Sequence, residues 1–422
     1  MSQPAGQAAP RRAALIFIFV TVVLDVLALG IIVPVLPALV VDFLGGNTAR
    51  AAETYGLFAT AWALMQFVSS PILGALSDRF GRRPIILTSI TGLGLDYILM
   101  ALAPSLGWLF VGRVISGISS ASFATAAAYI ADVTPPDERA KGFGMIGAAF
   151  GLGFVLGPAL GGVLGTVSPR LPFWISAALC LTNALYGLFV LPESLPPERR
   201  LRQFSWARAN PLGSLRLLRS HPELFGLASV TFLYYVAHEV LPSTFVLYTS
   251  YRYGWNTGTV GLTLALVGVC TAIVSGGLVG PIVARIGERH AALTGLMFGA
   301  VAFAIYGLAP RGSLFLAGVP VMAIWGLYGP SAQGLMTRRV TASEQGQLQG
   351  AIMGLRGLSG LISPFIFTFT FATFIGPRAN LHLPGAPFLL AAVLLVVAFF
   401  LAWSVMRSRD ASDQSPTRVE LS

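Results

Sequence analysis

Few residues in this 422-residue chain have the chemistry to bind an ion or move a proton from where they stand. Asp25, Asp96, Arg113, His238, Glu239 and Arg356 each lie inside a long apolar run. An ionised side chain near the centre of a bilayer costs at least about 2.5 kcal/mol on insertion scales, so each of them needs a reason to be there. Asp25 stands about midway along the first run. A carboxylate whose charge depends on which side has water access is what proton coupling requires. The alternative is a permanent ion pair, with Arg113 as its partner, and the two combine if Arg113 holds Asp25 when the proton leaves. Asp96 repeats the argument midway along the third run. Glu239 is a candidate for a second proton or a cationic substrate. His238 is next to it, so on a helix the two project about 100° apart and are not expected to face one cavity squarely. His238 reads equally as a satisfied interior histidine, and Arg356 has no acidic neighbour on its own run. Phe67, Tyr234, Tyr235, Trp325 and Tyr328 are candidate cavity aromatics, although aromatics at helical spacing more often serve packing.

The elements that must position these residues follow from composition. Hydrophobic residues make up 55% of the chain and charged residues 10%, against about 25% charged in soluble proteins. The mean hydropathy is +0.76. Such a chain cannot cover a water-facing surface, and runs of about 20 apolar residues indicate helices rather than barrel strands. Twelve spans are expected: 13–36, 55–76, 85–103, 107–131, 142–165, 172–191, 223–249, 258–283, 290–309, 313–335, 348–373 and 385–406. No cleavage site follows the first, which reads as an uncleaved span. The net charge of +10 sits in short loops and sets topology; no nucleic acid partner is expected. Twenty Lys and Arg fall on the side of both termini and five on the other, so both termini are expected in the cytoplasm. The one long polar connection, 192–222, carries six arginines and separates residues 1–191 from 223–422. Leu212, Leu215, Leu217 and Leu218 among those arginines fit either a helix lying on an anionic membrane surface or a flexible linker. Cys180 and Cys270 provide neither a disulfide framework nor metal-ligand spacing.

The chain also repeats itself. The stretch from Gly74 to Pro84 has a second copy beginning at Gly280, an offset of 206 residues, and the same offset relates Gly144 to Gly350 and Pro158 to Pro364. Halves built as copies are a habit of membrane transporters. In the first copy Gly81 permits a φ that other residues resist, and Pro84 can open the next helix. Asp78 among Gly74, Arg79, Gly81, Arg82 and Arg83 suits a latch that breaks when the halves rock; the alternative is that these arginines only set topology. In span 5, Gly153, Gly157 and Gly161 follow the small-xxx-small rule and admit a close helix. Pro158 removes one backbone hydrogen bond and can bend the helix. A bend that seals the path and simple close packing both fit.

The loop Gly74-x-x-x-Asp78-Arg79-x-Gly81-Arg82-Arg83 resembles the signature between spans 2 and 3 of the major facilitator superfamily. Gly144, Gly153, Gly157, Pro158, Gly161 and Gly162 resemble the span-5 pattern of its drug–proton antiporters. Asp25 with Pro34-Val-Leu-Pro37, Gly94-Leu-Asp-Tyr97, Gly287-Glu-Arg289 and Gln345-Gly-Gln-Leu-Gln-Gly350 look like the tetracycline-efflux proteins. The resemblance implies an all-α membrane protein of twelve helices in two pseudo-symmetric six-helix bundles. It further implies a monomer in a bacterial inner membrane that exports a small, largely apolar drug or metabolite in exchange for protons, without cofactor or metal. Arg113 resembles the superfamily's span-4 arginine. Where the tetracycline-efflux proteins carry a His in span 8 and an Asp in span 9, this sequence has Thr271 and Gly299. A proton-coupled uptake symporter is the alternative, which the span-5 glycines argue against. A membrane-embedded enzyme would need a nucleophile and base in one site, and the intramembrane residues offer none.

Overall fold

The structure is a computed structural model that describes residues 8–120, 122–135, 138–201, 217–218, 222–341 and 344–413. Among the described residues there are helices and connections but no strand. This is the solution that lets an apolar chain satisfy its backbone hydrogen bonds without water. Ten helices among the described residues are long and apolar enough to cross a membrane. One of them, Thr257–Leu308, runs 52 residues and is interrupted at Gly287 (φ 78°, ψ 159°), so it supplies two spans. The shorter apolar helix Leu106–Ser119, continued by Ser122–Val133, supplies another. The twelve expected spans are thereby accounted for.

Several spans are broken where the sequence removes or diverts a hydrogen bond. Span 1 consists of Ala8–Ile32 and Leu36–Phe43, with Pro34 in the turn between them. Span 7 consists of Pro222–His238 and Val240–Tyr253. Pro242 there has no N–H to offer the carbonyl of His238. Span 10 passes from Gly312–Ile324 through a 3₁₀ turn, Trp325–Leu327, into Tyr328–Thr337. By contrast, span 5 (Arg139–Val167) runs through Pro158 and span 11 (Gln345–Ile375) through Pro364 without interruption. Span 2 is longer than its apolar run: it extends from Thr48 to Phe80, begun by Asn47, whose side chain accepts the Arg50 N–H at 3.0 Å.

The chain packs as two compact units. The first holds Met1–Pro211, Pro242–Val269 and Pro364–His382; the second holds Leu212–Leu241, Cys270–Ser363 and Leu383–Ser422. Spans 7, 8 and 11 are therefore each shared between units. In the first, Ile18, Val22, Val26, Ile90, Leu93 and Tyr97 belong to a continuous apolar core. Span 6 is fastened to span 1 by Ser176, donating to the Ala28 carbonyl at 2.9 Å, and by Asn183, donating to the Thr21 carbonyl at 3.0 Å. In the second, the rings of Tyr306 and Phe315 stack at 4.0 Å with Phe388 against both. In the long connection, Leu217 and Leu218 are buried, while Leu212, Leu215, Arg202, Arg208, Arg216 and Arg219 lie outside the described residues.

Candidate functional site

The intramembrane charges fall into two groups, one in each unit. In the first unit Asp25 is 5% and Asp96 1% exposed. Neither makes an ion pair among the described residues, and Asp25 Oδ1 and both carboxylate oxygens of Asp96 have no hydrogen-bond partner. They share a neighbourhood: the charges of both reach Tyr97 and Cys180. Asp96 (span 3) lies against Gly112 of span 4, where a Cβ would stand 2.9 Å from its Oδ1. Arg113 is next in sequence, and its charge reaches Asp96 and Tyr55. Its guanidinium lies over the Trp62 ring, 5.3 Å from the centroid, an arrangement in which the ring face takes the place of a carboxylate. The alternative of a permanent Asp25–Arg113 pair is not what the structure contains.

In the second unit the aromatic candidates come together. Tyr234 stacks on Tyr328 at 4.5 Å and meets Trp325 at 4.7 Å and Tyr235 at 5.4 Å. The Tyr328 and Thr231 hydroxyls are 2.9 Å apart. His238 meets Trp325 at 5.6 Å. Tyr234, Tyr235 and Tyr328, with Gln333, Met336 and Ile352, line a cavity of about 260 Å³. Phe67 belongs to the first unit and is half-buried there. Arg356 is exposed, makes no ion pair among the described residues, and its charge reaches Tyr234, Tyr235, His238 and Glu239. His238 ends Pro222–His238 and Glu239 stands in the turn that follows, its N–H still bonded to the Tyr235 carbonyl at 3.2 Å.

Gly299 explains how Trp325 fits. A Cβ at 299 would stand 2.6 Å from Trp325 Cδ1 and 2.8 Å from Leu395 Cδ1, so any side chain there would displace the indole. Thr271 is exposed on span 8.

The basic turn is a network rather than a string of charges. Gly81 (φ 106°) separates spans 2 and 3. Arg82 pairs with Asp78 at 2.5 Å and, through Nε, with Asp132 Oδ2 at 3.1 Å. Its backbone N–H donates to Glu193 Oε1 at 2.8 Å, and its Nη1 to Ser77 Oγ at 2.6 Å. Glu193 also accepts from the Leu195 N–H and pairs with Arg200 at 3.5 Å. Arg83 donates to the Leu188 carbonyl, and Arg79 lies over the neighbouring Phe80 ring at 5.1 Å. No described residue approaches within 4 Å of where a Cβ on Gly74 would be. Sequence reasoning missed Glu193, whose one visible signal is that it precedes the run of arginines in the connection. Asp132, at the end of span 4, is a direct partner of Arg82.

Span 5 carries its glycines to backbone contact with two helices. A Cβ at Gly153 would meet Val26 at 2.6 Å, one at Gly157 would meet Gly30 Cα at 2.7 Å, and one at Gly161 would collide with the Ile31 carbonyl. On the next face, Gly162 sits 2.5 Å from the Thr257 carbonyl by the same measure, and Gly261 of span 8 meets the carbonyl of Pro158. Gly144 has open space.

The sequence matches the family model of the Major Facilitator Superfamily over residues 18–364 and 227–421. It is 38% identical over 362 residues to the class C tetracycline resistance protein of Escherichia coli, covering 85% of this chain and 90% of that one. It is 36% identical over 365 residues to the class G protein of Vibrio anguillarum, covering 86% and 92%. Among solved structures it resembles the human organic anion transporter MFSD10, with 25% identity, a TM-score of 0.68 and coverage of 95% and 100%. A bacterial homologue of the human lysosomal transporter Spinster shares the fold at 17% identity, with a TM-score of 0.77 and coverage of 97% and 98%.

Proposed function

The chain belongs to the Major Facilitator Superfamily, and on that premise we propose that it expels a small, largely apolar molecule in exchange for protons by alternating access. It is a secondary transporter and a multi-pass membrane protein, and its relatives are transporters rather than enzymes. The observation that carries the proton half of the proposal is the pair Asp25 and Asp96, carboxylates buried in a membrane span with no ion pair among the described residues. Ionisation is costly there, so the chain keeps such groups where gaining and losing a proton serves the cycle. Arg113 and Glu239 belong to the same task in this reading. The cavity in the second unit supplies the substrate half, and tetracycline is the first compound to offer because tetracycline resistance proteins are among the relatives.

The working parts are two six-helix bundles, 1–191 and 223–422, joined by 192–222, in a bacterial inner membrane with both termini in the cytoplasm. One chain suffices as the functional unit. The Asp78–Arg82–Asp132 network is the latch, and the span-5 glycines form the seal. Inverted vesicles test the reading: an inside-acid gradient drives drug uptake by the wild type. Asp25→Asn inserts normally and abolishes that uptake. Gradient-driven uptake that survives in Asp25→Asn removes Asp25 from the mechanism, and no uptake by the wild type of any drug in a resistance panel removes the antiport.

A further inference from the structure

Resting on the reading of this chain as an exporter, we infer that its second unit selects planar, conjugated molecules bearing an acidic group, the rings entering the tyrosine cavity and the acid pairing with Arg356. The cavity wall is a stack, Tyr234 on Tyr328 at 4.5 Å and 30°, with Trp325 behind it. Stacked faces of this kind add to the worth of buried aromatic area when a further ring joins them. Met336 and Ile352 add apolar surface to the lining. A volume of about 260 Å³ lies at the small end of ligand pockets, enough for a fused two-ring portion with the remainder outside.

Two opposite charges stand one helical turn beyond this lining. Glu239 follows Tyr235 on span 7, and Arg356 follows Ile352 on span 11, each four residues on and so on the same face. They are not equally available. Glu239 is half-buried and is not a free charge. Arg356 is exposed and makes no ion pair among the described residues, and its charge already reaches Tyr234 and Tyr235. A guanidinium presents a planar fork of donors that suits a carboxylate or enolate. The polar groups of the wall, the tyrosine hydroxyls and Gln333, suit ring oxygens.

The test uses the full chain in lipid nanodiscs with no proton gradient and three probes of one shape: naphthalene-2-carboxylate, (2-naphthylmethyl)ammonium and 2-naphthylmethanol, measured by equilibrium dialysis. The carboxylate is expected to bind about tenfold tighter than the ammonium, the worth of one charge-assisted hydrogen bond. Arg356→Gln erases that preference and leaves the alcohol unchanged, Arg356→Lys keeps part of it, and Tyr234→Leu weakens all three together. The inference falls if the ammonium binds as tightly as the carboxylate, if Arg356→Gln leaves the preference intact, or if no probe binds saturably. Because binding is read without a gradient, a loss of proton-driven export with the anion preference intact overturns the antiport alone.

Discussion

The two glycine turns that lead from span 2 to span 3 and from span 8 to span 9 are the same device built twice with opposite wiring. Gly81 (φ 106°, ψ 158°) and Gly287 (φ 78°, ψ 159°) are separated by the repeat offset, 287 − 81 = 206. In the first turn Arg82 opens span 3 and pairs with Asp132 at the end of span 4. In the second, Glu288 pairs with Arg338 at 2.9 Å. The same offset relates both positions, 288 − 82 = 206 and 338 − 132 = 206, so the contact has been kept and its polarity reversed. What has not been kept is the surround. The Arg82 side chain is 10% exposed and bonds to Asp78, Ser77 and Asp132, while Glu193 fills the space over Gly81. The Arg338 side chain is 74% exposed, the counterpart of Asp78 is Ala284, and no described residue lies within 4 Å of a Cβ on Gly287. A charge pair can therefore be copied as a contact while its energetic weight is set by what covers it.

The largest asymmetry is expected from removing one charge of each pair. Arg82→Ala leaves Asp78 and Asp132 close together without their cation and should lower stability by about 3 kcal/mol. Glu288→Ala should cost no more than about 1 kcal/mol. Thermal unfolding of the purified variants measures both, and equal losses would erase the distinction. Next come the glycines. Alanine at either position enters a backbone region reserved for glycine, at about 1–3 kcal/mol. Gly81→Ala should be the worse of the two, because its Cβ also displaces the Glu193 carboxylate. A Gly287→Ala variant as unstable as Gly81→Ala would mean that backbone strain alone governs. The smallest effect is the most discriminating. Exchanging the charges, Glu288→Arg with Arg338→Glu, should restore stability to within about 1 kcal/mol, since the Arg338 side chain is 74% exposed even though that of Glu288 is 20% exposed. Arg82→Asp with Asp132→Arg should not, because Asp78 and Ser77 keep their places around position 82. A full rescue there would show that the surrounding bonds carry no weight.

The turn signature, the repeat offset and the twelve apolar runs were legible because each is written locally, as a spacing of glycines or a length of hydrophobic residues. The partners were not. Asp132 lies 50 residues from Arg82 and Glu193 lies 111 away, and nothing near either residue in the chain announces the pairing. The aromatic cluster shows the same limit. Tyr234 and Tyr328 could be read as cavity candidates but not separated from packing residues, because their stack depends on spans 7 and 10 meeting. Gly299, which reads as the loss of an acidic residue, is in the fold the space that the Trp325 ring occupies.

The contact of span 5 with spans 1 and 8 bears on how protons are kept from crossing unaccompanied. A proton travels fastest through a file of waters, each handing it to the next, and such a file needs a gap at least one molecule wide. Along Gly157, Gly161 and Gly162 the three backbones touch with no room for a methyl group, so no single-file thread of waters fits that seam. At that level of the molecule, missing side chains are what close the seam.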